Sequence, residues 1–109
     1  MAGLEYIEML RNEARDADIV SANTLAKNAL SLVENALRWF DADSNCRLAG
    51  DTATVTCQRL AKNLIAMAPT EAEKTVIEEF RAEALQAIDL FKASCERCGP
   101  SGMAKALGV

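Results

Sequence analysis

Apolar residues recur at spacings of three and four along most of the chain, which is the period of an amphipathic α-helix. This pattern predicts a first helix over residues 4–17 and a second helix that ends at about Phe40. The polar stretch at residues 16–21 indicates a break between them, with Ser21 or Asn23 as the cap of the second helix. A nearly continuous run from one helix into the other is the alternative.

The pattern is interrupted at residues 41–50, which are mostly polar and end in glycine. Polar residues followed by glycine are typical of a loop, so we predict one there. A third helix of about 16 residues is then expected to begin at Asp51 or Thr52 and to stop before Pro69.

The fourth predicted helix has the clearest start and stop signals. Thr70 and Glu73 form a capping-box pattern at its beginning, and Gly99 followed by Pro100 ends it. It contains about 28 residues, roughly 42 Å, against roughly 24 Å for the third helix. Because an apolar stripe that extends past its neighbour needs a cover, we expect a homodimer.

These elements together predict an all-α fold, a small antiparallel helical bundle of about four helices with an overlong last helix. Residues 1–98 are expected to form a single helical domain, since a chain of 109 residues is long enough for one core. Residues 99–109 are expected to be a flexible C-terminal tail with at most one loose helical turn around residues 103–107.

Composition excludes several classes of function. The chain has 12 Lys and Arg against 16 Asp and Glu, a net charge of −4, and no basic cluster, so nucleic-acid binding is not expected. It contains no histidine, which rules out serine-protease triads, histidine-ligated haem and the Glu-x-x-His pairs of di-iron bundles. We therefore predict a protein that is not an enzyme and has no cofactor.

The sequence shows no targeting signal. Its first residues are amphipathic and acidic, without the basic and long apolar regions of a signal peptide, and no stretch approaches the roughly 18 apolar residues of a membrane-spanning helix. We expect a cytoplasmic protein that does not bind membranes and whose four cysteines are mostly reduced.

A Cys-x-x-Cys pair, Cys95 and Cys98, lies at the end of the fourth predicted helix. The two cysteines continue the apolar stripe of Phe91, which favours simple burial of the thiols. The alternative is a cysteine-ligated metal site or a thiol-state sensor, which Cys46 could join from the preceding loop, whereas Cys57 is too far away. Thioredoxin-like catalysis is disfavoured because the pair closes a helix, where the dipole raises a thiol pKa.

Carboxylates on the fourth helix offer a weaker candidate for metal binding. Glu79 and Glu83 share one helix face at a spacing of four, but Glu78, Lys74 and Arg81 surround them. Mixed charges at these spacings are typical of a solvated helix surface, and we interpret them so.

Surface recognition is the remaining class of function. Trp39 and Phe40 lie at the edge of the second helix's stripe, where a tryptophan is either a lid on the core or an anchor for a partner, and Phe91 lies in the overlong part of the fourth helix. We predict a non-catalytic protein–protein interaction module, a regulator, adaptor or inhibitor, that self-associates. A carrier that holds a small apolar ligand between its helices is a further hypothesis.

Overall fold

The structure is a computed structural model that describes residues 2–67 and 71–108. It contains the helices α1 (Ala2–Asp16), α2 (Ala22–Leu37), α3 (Ser44–Ala66), α4 (Glu71–Cys98) and α5 (Gly102–Leu107). Helix α1 packs on α2, α2 on α3 and α3 on α4, and α4 also packs on α1. These contacts close an antiparallel bundle about 50 Å long. The described residues form no β-strand, and the predicted all-α bundle is confirmed.

The core is built from the apolar stripes of α1 to α4. Most of its members are aliphatic or alanine, and the small side chains let neighbouring helices approach closely. The most deeply buried members are Ile7, Leu10 and Ala14 of α1, Leu25, Ala29 and Ala36 of α2, Ala53, Leu60 and Ala61 of α3, and Ala84, Ile88 and Phe91 of α4.

The predicted break between the first two helices is confirmed, and Ser21, one of the two expected caps, occupies the cap position without a side-chain hydrogen bond to the helix. Asp18 Oδ1 accepts hydrogen bonds from the backbone N–H groups of Val20 and Ser21 and from the Ser21 hydroxyl. Ser21 occupies the N-cap position of α2, yet its side chain does not bond to the helix, and Asn23 lies within the helix. The turn is therefore organised by an aspartate that precedes the cap position.

The loop predicted at residues 41–50 is wrong, because α3 begins at Ser44. The Asp43 carboxylate caps the helix by accepting a 2.8 Å hydrogen bond from the Cys46 N–H. Gly50 lies inside α3 and is buried, and a Cβ atom there would be only 2.9 Å from Val33 Cγ1 and 3.2 Å from Phe91 Cε1. The glycine permits a close approach of three helices rather than a turn.

The longer α3 changes the surroundings of α4. Helix α3 contains 23 residues rather than the expected 16, while α4 has the predicted 28. The last turns of α4 consequently pack on the first turns of α3, so the covering role that we assigned to a second copy is filled within the chain. Pro69 and Thr70, the predicted stop and capping residue, lie outside the described residues.

The end of α4 follows the sequence prediction, and the chain then forms a further short helix. Gly99 has a φ of 77°, the left-handed conformation that favours glycine after a helix. The N–H of Asp41 donates to Gly99 O at 2.9 Å, and the N–H of Ser101 donates to Trp39 O at 3.0 Å. The segment predicted as a flexible tail thus includes α5, and its first residues are hydrogen-bonded to the chain after α2.

Candidate functional site

Two buried thiols meet where the beginning of α3 lies against the end of α4. Cys46 is held in the first turn of α3, where Asp43 caps its backbone N–H. Cys95 lies one turn before the end of α4. Their Sγ atoms are 3.1 Å apart, and neither residue has any solvent-exposed surface. Cys46 thus lies next to Cys95, as the sequence predicted.

Cys98 and Asp43 complete this thiol cluster. Cys98 is half-buried, whereas the other three cysteines are buried, and all four are free thiols. The Asp43 carboxylate has a pKa below its ordinary value, chiefly because it accepts the Cys46 N–H and also because it interacts with the Cys98 thiol. Cys98 also contributes to the raised pKa of Cys46, so it lies close enough to interact with that thiol.

The surroundings of Cys46 and Cys95 disfavour the thiolate forms of these two residues. Burial is the main cause that raises the pKa of Cys46 and of Cys95, and for Cys95 its hydrogen bond with Cys46 acts in the same direction. Thiols of raised pKa are protonated at neutral pH, and the thiol form is a poor nucleophile. The cluster is therefore a protected thiol pair with one more accessible neighbour.

The arrangement suits sulfur–sulfur chemistry better than a metal ion. A tetrahedral zinc site with Zn–S bonds of about 2.3 Å keeps its sulfurs about 3.8 Å apart, wider than the observed 3.1 Å. Within residues 2–67 and 71–108, no group of three or more Cys, Asp or Glu residues is placed to hold a metal ion.

Cys57 lies apart from the thiol cluster, as the sequence predicted. It is on α3 eleven residues after Cys46, roughly 16 Å along the helix. Burial raises its pKa to about 12, and the nearby Glu13 carboxylate adds to the shift. Cys57 is thus a buried core thiol without a sulfur neighbour in the cluster.

The predicted partner-binding aromatic residues lie mostly inside the molecule. Phe40 is 4% exposed and Phe91 is fully buried, and only Trp39 is half-exposed. Gly3 of α1 lies so close to Trp39 and Phe40 that a Cβ atom there would contact both side chains. The two phenylalanines therefore present no surface to a partner in this fold.

A different apolar surface is exposed between α3 and α4. It is a groove lined only by uncharged residues, and Leu48 and Leu90 are 64% and 60% exposed. We call it the α3–α4 groove, and its residues are Asn45, Leu48, Ala49, Thr52, Ala87, Leu90 and Ser94. Sequence analysis missed it because Leu48 was assigned to a loop.

Comparisons of the chain with protein families, with curated proteins and with solved structures found no match. No helix in the described part of the chain is long and apolar enough to cross a membrane.

A cavity of about 300 Å³ lies at the opposite end of the bundle from the thiol cluster. Its lining includes Ile19, Leu64, Met67 and Ile77, with Arg81 at its polar side. It is lined by the turn after α1, the end of α3 and the first turns of α4, so it lies between helices, as the small-ligand carrier hypothesis expected of its site.

Proposed function

We propose that this protein is a non-catalytic helical interaction module of the cytoplasm that binds a second copy of itself through the α3–α4 groove. One observation carries this proposal: two leucines on adjacent helices expose most of their surface at a groove without a charged side chain. A regulator, adaptor or inhibitor is the class of protein that such a module fits.

Hydrophobic burial supplies the driving force for this contact. Complete burial of a leucine side chain contributes about 1.5–3 kcal/mol, and Leu48 and Leu90 each retain more than half of their exposure. In a twofold dimer the same patch meets itself, so both leucines of both copies are covered together.

Charge favours the α3–α4 groove over other surfaces for self-association. Two copies that each carry a net charge of −4 repel each other, and burying an unpaired charge is costly. The groove contributes no charged residue to the contact.

The test is the mass of the protein in solution, measured by light scattering and sedimentation equilibrium over a series of concentrations. We expect the wild type to reach twice the monomer mass of 11.8 kDa and Leu90→Glu to remain at the monomer mass. Leu30→Glu is the matched control, because Leu30 is also an exposed helical leucine, 49% exposed on α2. It should dimerise like the wild type.

Two results would overturn the proposal. One is a wild type that stays monomeric at every concentration. The other is a dimer that Leu90→Glu leaves intact or that Leu30→Glu disrupts equally, since the contact would then lie elsewhere. Circular dichroism of each variant establishes that its helices are retained.

A further inference from the structure

The contact between Cys46 and Cys95 places two free thiols in position for a covalent bond. Their sulfurs are 3.1 Å apart, only about 1 Å longer than a disulfide bond. They belong to different helices and are separated by 49 positions in the chain, so only the packing of α3 on α4 brings them together.

The surroundings of the pair decide how an oxidant reaches it. Both residues are fully buried, so a dissolved oxidant has no direct route to either sulfur. Cys98 is half-buried, lies one turn after Cys95 on α4, and interacts with Cys46. Cys98 is therefore the cluster thiol that solvent reaches first.

We propose that Cys46 and Cys95 are a modification site that forms a reversible intramolecular disulfide, and that Cys98 transfers the oxidation to them from a small-molecule disulfide. This site is independent of the α3–α4 groove. The two cysteines would then respond to the redox state of the surroundings in addition to packing in the core.

The chemistry is a series of thiol–disulfide exchanges. The Cys98 thiolate attacks one sulfur of the small disulfide, whose S–S bond breaks and releases one small thiol. Cys46 then loses its proton and attacks the Cys98 sulfur, which releases the second small thiol. Finally Cys95 attacks the Cys46 sulfur, and Cys98 leaves as a thiol. In total, two protein thiols are oxidised, one small disulfide is reduced to two thiols, and both protons pass to those products.

The experiment treats the reduced full-length protein with oxidised glutathione, followed by thiol titration, intact mass and peptide mapping. We expect two of the four thiols to disappear, the mass to fall by two hydrogens, and the map to join Cys46 to Cys95. Dithiothreitol should restore all four thiols. The same treatment in denaturant should give mixed pairings, because the contact depends on the fold.

Variants separate the roles of the cysteines. Cys98→Ser should give the same disulfide at least about tenfold more slowly, because only rare openings then expose the buried thiols. Cys57→Ser is the matched control, a fully buried cysteine outside the cluster, and should react like the wild type. The Leu90→Glu protein should also form the disulfide at the wild-type rate. The disulfide proposal and the self-association proposal can therefore be tested separately.

Several results would overturn the proposal. They are four unreacted thiols, a glutathione adduct that remains on Cys98, a disulfide between any other pair, and a link between two chains. A Cys98→Ser protein that reacts as fast as the wild type would overturn the transfer through Cys98. The peptide map of the oxidised wild-type protein tests the Cys46–Cys95 disulfide without any variant. The proposal can therefore still be tested if a variant fails to fold.

Discussion

At the scale of single residues, the guanidinium group of Arg81 joins the first and fourth helices. Arg81 Nη1 donates to Ala14 O at 2.7 Å and to Arg15 O at 3.0 Å, and Nη2 donates to Ala17 O at 2.9 Å. The carbonyls of Ala14 and Arg15 belong to the last turn of α1 and lack partners within that helix, and Ala17 follows the helix directly. A cation at this position also opposes the helix dipole. The Arg81 side chain is only 15% exposed, so it is not the solvated surface residue that we predicted.

We predict that Arg81→Met lowers the free energy of unfolding by about 2–4 kcal/mol, because three carbonyl groups lose a charged donor. Urea denaturation measures this change. Arg59→Met is the matched control, since Arg59 forms an exposed ion pair with Glu83 and its loss should cost under about 1 kcal/mol. Equal losses in the two variants would contradict the role of Arg81.

At the scale of helices, the position of α3 depends on Gly50. Glycine in a helix interior costs about 1 kcal/mol relative to alanine, so propensity alone favours its replacement. At this position, however, a methyl group would be 2.9 Å from Val33 Cγ1 and 3.2 Å from Phe91 Cε1. Valine is stiff in a helix and Phe91 is fully buried, so neither side chain moves away easily.

We therefore predict that Gly50→Ala destabilises the protein by about 1–2 kcal/mol, because overpacking exceeds the gain in helix propensity. Gly102→Ala is the control, since Gly102 begins α5 and a methyl group there would contact nothing within 4 Å. Its effect should be under about 0.5 kcal/mol. Thermal unfolding of both variants tests this, and a stabilised Gly50→Ala protein would contradict the close approach.

At the scale of the whole molecule, α4 completes the bundle by packing on both α1 and α3. Its contact with α1 is polar at the surface, where Arg11 pairs with Asp89 at 3.0 Å and Arg81 binds the end of α1. Its contact with α3 buries Cys46 and Cys95, while Asn45 and Ser94, their neighbours in sequence, line the α3–α4 groove. The proposed disulfide site therefore lies beside the proposed self-association surface, although neither cysteine lines the groove.

Because the thiols are buried, the free energy of unfolding falls as the pH rises in the alkaline range. An unfolded cysteine ionises near 9.0, whereas the folded Cys57 thiol has a pKa of about 12. Folding thus favours the protonated thiol, and this contribution is complete below pH 9.0 and is lost as pH rises towards about 12. Cys46 and Cys95 shift in the same direction and add to the effect.

We predict that the free energy of unfolding of the reduced protein falls across this interval, and that Cys57→Ala removes about 1.4 kcal/mol per pH unit from the slope. Urea denaturation at several pH values gives the slopes, and the lysines and the tyrosine contribute equally to both proteins. Below pH 9.0 the two curves should run parallel. Parallel curves above that pH as well would contradict a buried, protonated Cys57.

The fold class, the existence of the four main helices, the 28-residue length of α4 and its glycine end can be predicted from the sequence, because they follow from the period of apolar residues and from local backbone chemistry. The sequence also placed Cys46 near Cys95 and Cys57 away from both. These predictions needed only the rise per residue and an antiparallel arrangement.

Features that depend on contacts between residues far apart in the chain could not be predicted from local patterns. Gly50 and the polar residues before it indicate a loop locally, but packing against Val33 and Phe91 makes that stretch the beginning of α3. The same packing exposes Leu48 at the α3–α4 groove, buries Phe91 and brings the sulfurs of Cys46 and Cys95 to 3.1 Å. Local patterns report the preferences of neighbouring residues, whereas the candidate sites are formed by side chains from two helices.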